Sequence, residues 1–160
     1  MRGAYRVRLA VNLLNGSTLA GLLAATVGRA RLIRARNGLV VAVGYRLPVP
    51  PAPAFCLGNV ILTRLDADGV RGAGVLLGHE ARHATQFACC GGLLMLPLYF
   101  LAAGVSWLLT GDFGARNVFE RRAGLAEGGY ADRPLRPALT RLAGRRKPGS
   151  VPFADGPPPH

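Results

Sequence analysis

Acidic residues are scarce in this chain: eight Asp and Glu stand against 20 Lys and Arg, a formal net charge of +12. Lysine is nearly absent too, since Lys147 is the single one and arginine supplies the other cations. That bias, with abundant Ala, Gly and Pro, marks a GC-rich genome, which raises the isoelectric point without any partner requiring it; no specific nucleic-acid partner is expected. Cysteine is rare and odd in number. Cys56, Cys89 and Cys90, two of them adjacent in an apolar stretch, exclude a disulfide framework and a CxxC metal clip. They read as small buried apolar residues in a reducing or membrane-buried setting. At 160 residues the chain has room for one domain with a real core and excludes a second catalytic domain.

Charge is missing altogether from two stretches. Residues 9–28 carry none, with Arg2, Arg6 and Arg8 before them and Arg29, Arg31, Arg34 and Arg36 after. About 20 residues suffice to cross a bilayer, but Asn12, Asn15, Gly16, Ser17 and Thr18 occupy the centre. No small-x-small site precedes a polar mature start, so no cleaved signal peptide is expected. The spacing of Leu9, Leu13, Leu19, Leu22, Leu23 and Val27 predicts one helix with a broad apolar face, a backing or interfacial helix rather than a span. The second uncharged stretch runs over 84–111 and contains Gly91-Gly92 and Pro97. With a mean hydropathy of +0.26, these runs point towards a membrane.

Between them, residues 39–43 predict a strand entered through Asn37-Gly38, and 58–64 predict a second. Residues 48–53, with four prolines, form an extended connector. From Arg71 the sequence suits a helix reaching Phe87, and 115–127 suits a short helix ending at Gly128-Gly129. Seven of the twelve prolines and six Arg or Lys fall within 131–160, which predicts a disordered basic tail after a single domain over 1–130.

One motif carries chemistry. His79-Glu80-Ala81-Arg82-His83 is H-E-x-x-H on the expected helix, and its spacing stacks two imidazoles on one face where both can hold one Zn²⁺. With three His and three Glu in the chain, chance supplies the pattern in roughly one such sequence in a thousand. A catalytic zinc takes a third protein ligand and keeps its fourth position open. The candidates are Glu120, whose neighbours Ala123 and Gly124 make a narrow helix face, then Glu127 and Asp112. The plainer fate of Glu120 is a surface ion pair with Arg121 or Arg116.

The 58–62 strand led by Gly58, the H-E-x-x-H helix with Gln86 just beyond it, and the downstream Glu helix resemble the gluzincin branch of the zincin metallopeptidases. More narrowly, Asn117-Val118-Phe119-Glu120-Arg121-Arg122-Ala123-Gly124 and Gly128-Gly129-Tyr130 resemble small uncharacterised membrane-associated actinobacterial proteins. The third-ligand neighbourhood departs from better-known gluzincins in lacking an acidic partner for the histidines. The resemblance implies an α+β zincin-like fold: backing helix, small sheet, active-site helix and ligand helix. It implies a zinc metallopeptidase with His79, His83 and Glu120 on the metal, Glu80 as general base, and Tyr130 or Arg116 as oxyanion donor. A peptide or protein substrate would pair with an exposed edge of the 58–64 strand, unless that strand is ordinary core. The rivals are an inactive zinc-binding scaffold and a basic membrane or nucleic-acid binder in which the motif is coincidental.

Geometry adds a constraint. A straight span over 84–111 would part the histidines from Glu120 by a hydrocarbon layer of about 30 Å. A shared metal therefore requires a hairpin, with 87–91 leading in, 98–109 leading out, and Gly91-Gly92 and Pro97 as turning points. Tyr99 and Trp107 suit an interfacial depth, and the basic tail suits anionic headgroups. The expected location is membrane-associated, facing the cytoplasm.

Overall fold

In the computed structural model, which describes residues 3–137, the chain is α+β: six helices are arranged about a mixed four-stranded sheet. The order is α1 (Gly3–Leu14), α2 (Ser17–Val27), β1 (Arg31–Arg34), β2 (Val40–Val43), β3 (Ala54–Leu57), β4 (Val60–Thr63), α3 (Ala67–Gly72), α4 (Gly74–Cys89), α5 (Met95–Thr110) and α6 (Val118–Ala123). The sheet runs β1-β2-β4-β3, with β2 parallel to β4 and the other pairs antiparallel.

Period-two alternation sorts the strand side chains between two layers. Val41, Val43 and Ile61 face α4 and gather with Leu39, Val70 and Ala84. Ala42, Val60 and Leu62 face α2 and gather with Ala25 and Tyr45. Every residue of β4 is buried because both faces are covered and both edges are paired. The expected peptide-pairing edge on 58–64 is thereby corrected: β4 is interior, and the free edge on that side belongs to β3, which proline-dense sequence just upstream concealed.

The run over 9–28 is two helices, not one, bent by 72°. Asn15 Oδ1 accepts from the Ser17 amide at 3.0 Å and Gly16 is left-handed, so the chain turns where a continuous helix was expected. The polar residues that lower its membrane affinity are structural. Asn12 and Asn59 are buried, and Asn12 Nδ2 donates to Asn59 Oδ1 (3.2 Å) and to the Ala84 carbonyl of α4 (2.8 Å). Asn59 Nδ2 donates in turn to Thr18 Oγ1 at 2.8 Å. Thus α1 backs the H-E-x-x-H helix through polar bonds, and α2 backs the sheet.

Other boundaries shift as well. Asp66 caps α3 by accepting from the Gly69 amide, so helix begins earlier than Arg71 and breaks at Ala73. Residues 87–89 extend α4 itself. Pro97 lies in the first turn of α5, where proline is tolerated, and is no turning point. The turn rests on Gly91 and Gly92, both left-handed; at Gly92 a Cβ would meet the Asn15 side chain at 2.6 Å. The expected helix over 115–127 is confined to α6, because Asn117 caps it by accepting from the Phe119 amide and Gly124 ends it. Only Cys56 is buried; Cys89 is exposed and Cys90 half-buried. Residues 131–137, assigned above to the tail, are held in place. The Arg136 amide donates to the Leu109 carbonyl and Arg121 pairs with Asp132. The rest of the expected tail, 138–160, lies outside the described residues.

Asn59→Leu removes the buried side-chain bonds from residue 59 to Asn12, Thr18 and the Leu9 carbonyl, so the variant should lose about 1–3 kcal/mol of stability. Urea unfolding followed by circular dichroism measures it; an unchanged midpoint would show the network to be dispensable.

Candidate metal centre

On α4, His79 and His83 are one turn apart and both buried, and α6 brings buried Glu120 to them. These three are a group whose ligand atoms lie within 4.8 Å of one another and could hold a metal ion. His79 Nε2 is 3.0 Å from His83 Nε2 and 3.1 Å from Glu120 Oε2, and His83 Nε2 is 3.7 Å from Glu120 Oε1. Two ligand atoms on a tetrahedral zinc stand about 3.3 Å apart, given bonds of roughly 2.0–2.1 Å. The group therefore fits such an ion as it stands.

Proton placement sharpens the fit. His79 Nδ1 lies 3.0 Å from the Gly124 carbonyl, which can only accept, so Nδ1 carries the hydrogen and a neutral ring leaves Nε2 bare. Gln86 Nε2 donates to the Phe119 carbonyl at 2.9 Å, which turns Gln86 Oε1 towards His83 Nδ1 at 2.8 Å. That ring too must donate from Nδ1. Both Nε2 lone pairs then point at each other and at Glu120, whose Oε2 is buried without a hydrogen bond. Such a convergence of acceptors calls for a cation.

The electrostatics agree. Burial would raise the Glu120 pKa, but the closeness of His79 and His83, where any added proton would be shared with the carboxylate, and the hydrogen bond from Tyr99 outweigh it and bring it down to about 2. Burial would lower that of His79, yet the Glu120 carboxylate prevails and holds it above 6.5. The Tyr99 hydroxyl donates to Glu120 Oε1, so the first turns of α5 support the carboxylate directly.

Glu80 lies beside this group, within range of the His79 and His83 rings and close enough to β3 for its charge to act on Cys56. It is buried and has no hydrogen-bond or ion-pair partner among the described residues; desolvation raises its pKa despite the nearby histidines. It lines a cleft of about 460 Å³ together with His79, His83, Glu120, β3 and Tyr130. The alternatives for third ligand are spoken for elsewhere. Glu127 pairs with Arg82, and Asp112 accepts from the Gly114 and Ala115 amides and pairs with Arg133. Tyr130 is in the cleft, whereas Arg116 is exposed, bonded to the Arg133 carbonyl and 3.7 Å from Asp132, which removes it as an oxyanion donor.

Three contributors were not assigned from sequence: Tyr99, the Gly124 carbonyl and Gly128. A Cβ at Gly128 would clash with the His79 ring, so the first glycine of the pair after the ligand helix packs on that ring. The paired glycines were a visible signal without a visible target. Comparison with known proteins adds no relative: no family model, no curated protein and no solved structure matches the chain.

Two outcomes follow for the purified chain. Gln86→Ala frees the His83 ring and should weaken divalent-cation affinity by about 10–100-fold, measured by chelator competition. Because the His79 pKa is raised, a proton competes for the site already above pH 6.5, so affinity should begin to fall there on acidification rather than only below it. Affinity that is flat from pH 8 to 6 would contradict this.

Proposed function

We propose that this chain is a membrane-associated zinc metallopeptidase with a zincin-like arrangement of backing helix, sheet, active-site helix and ligand helix. The observation that carries the reading is the convergence of two bare Nε2 atoms on the Glu120 carboxylate with Glu80 unpaired beside them in the same cleft. Two His and one Glu are a donor set of catalytic zinc sites, in which the remaining position serves water or substrate. Zinc bound there would polarise the scissile carbonyl and lower the pKa of a water molecule towards about 7.

The chain's own groups divide the remaining work. Glu80, with its proton affinity raised by burial, takes a proton from the attacking water and returns it to the departing amine. Glu120, His79 and His83 hold the metal, while Gln86, Tyr99 and the Gly124 carbonyl keep those ligands aimed. The Tyr130 hydroxyl lines the cleft in a hydrogen bond with Tyr99 and would turn from it to the developing oxyanion. An extended peptide pairs with the free edge of β3, whose residues and the preceding prolines line the cleft. Membrane association is supported by α5, which continues an apolar stretch of 19 residues from Gly92 and is largely unburied.

Elemental analysis should find one zinc per chain in wild type and none in His79→Ala/His83→Ala. Glu80→Gln should keep the zinc and lose about 10²–10⁴-fold in hydrolysis of a mixed peptide pool. Zinc without turnover in wild type would make the protein a scaffold. Absence of zinc would make the motif coincidental.

A further inference from the structure

The lining of the cleft is the starting observation. Beyond the three metal-group residues and Glu80, its polar side chains among the described residues are Cys56, Tyr99 and Tyr130; no described Lys, Arg, Asp, Asn or Gln faces in. An acidic substrate side chain would meet two carboxylates and no Lys or Arg there, and a basic one would compete for those carboxylates, which serve the metal group and the general base, so an uncharged side chain suits the lining. The opposite wall from β3 is the start of α5, where Met95, Leu96, Tyr99 and Phe100 line the cleft. Phe100 is also 68% exposed, so it belongs to the cleft and to the outer surface together.

That outer surface is apolar over a long distance. Leu94, Leu98, Leu101, Val105 and Leu108 are exposed at helical spacing of three and four, one stripe along α5. Asn15 packs at Gly92, so the α1–α2 elbow with exposed Leu13 and Leu14 (88%) adjoins the exposed Leu93 and Leu94. From there Leu19 and Leu23 continue along α2. The two uncharged stretches of the sequence thus meet in a single apolar face, larger in extent than the scattered exposed leucines of ordinary surfaces. Its rim is basic. Arg136 lies over the Trp107 ring at 4.9 Å at the far end of α5, and Arg29, Arg31 and Arg34 follow α2, within a chain of net charge +12. An apolar face with an arginine rim is complementary to an anionic bilayer. The 16 residues of α5 reach only about 24 Å, short of a hydrocarbon core of about 30 Å, which suits embedding in one leaflet.

We propose that the cleft takes an apolar, extended peptide segment delivered from an anionic bilayer in which α5 and the α1–α2 elbow are embedded, with Phe100 at the threshold. The inference rests on the peptidase reading for its chemistry, but its test reads binding alone. Trp107, the single tryptophan, reports on α5 directly. Full-length Glu80→Gln loaded with zinc is mixed with phosphatidylglycerol–phosphatidylcholine vesicles and then with dansyl-labelled decapeptides, one of Leu and Ala, the other alternating Lys and Glu. Trp107 emission should shift to the blue on vesicles, and energy transfer should show the apolar peptide binding at least about tenfold more tightly. Leu98→Glu/Leu101→Glu, with zinc retained, should abolish the vesicle shift, and Phe100→Asp should lose the peptide preference. Equal binding of the two peptides overturns the proposal. So does the absence of a vesicle shift with a dimer in solution, which would give the face to a second copy. If wild type binds the apolar peptide on vesicles but never cleaves it, the hydrolase reading fails and this one stands.

Discussion

The structure depends on offsetting one repulsion: two imidazole lone pairs and an ionised carboxylate are held within hydrogen-bond distance with no proton to share among them in the neutral tautomers. Desolvation makes this worse, because burial strengthens unscreened interactions among the acceptors. A metal ion held by these three residues would relieve the repulsion, and the Glu120 carboxylate otherwise favours a proton on His79. The arrangement survives because backbone fixes both rings. The Gly124 and Phe119 carbonyls, one directly and one through Gln86, come from the same short helix that supplies Glu120. Docking α6 on α4 and assembling the donor set are therefore one event, further clamped by Arg82, which reaches the Ala123 carbonyl and Glu127.

A ligand 37 positions beyond the second histidine would be useless without a return path. Gly91 and Gly92 reverse the chain, and the loop after α5 brings it back. Ser106 Oγ donates to the Asp112 carbonyl and accepts from the Arg116 amide, while Asp112 Oδ1 accepts from the next two amides but one. This small polar knot is what stops an apolar helix from simply continuing.

Much of the site was legible in sequence because its signals are local. H-E-x-x-H states its own geometry once a helix is granted, and the scarcity of acidic residues left Glu120 as the first candidate for third ligand, with Glu127 and Asp112 behind it, before any contact was known. The need for a reversal followed from connectivity alone. What stayed hidden depends on contacts distant in sequence. β1 is four residues bearing two arginines with three of the four exposed, and β3 follows a proline-dense connector, so neither shows the pattern of a buried strand. The elbow at Asn15 looked like a polar blemish in a helix, since Asn15 packs against the distant Gly92 and its neighbour Asn12 bonds to the distant Asn59. Tyr99 read as an interfacial aromatic because nothing near it in sequence names Glu120 as its acceptor.

Tyr99 and Phe100 show how the two halves of the molecule are joined. Successive residues on one helix point about 100° apart, and here one hydroxyl supports the metal-side carboxylate while the neighbouring ring lies at the cleft mouth facing outward. α5 makes few other attachments to the domain: Met95, Ala103 and Ser106 are its buried residues. Its position is consequently held by few core contacts for its length, and whatever covers its outer stripe contributes to where Tyr99 sits. Under the proposed membrane association, seating α5 in lipid and presenting Glu120 in the right orientation would be parts of the same equilibrium. Binding energy at the apolar face would then stabilise the convergent ligand geometry to the extent that the free helix samples other positions.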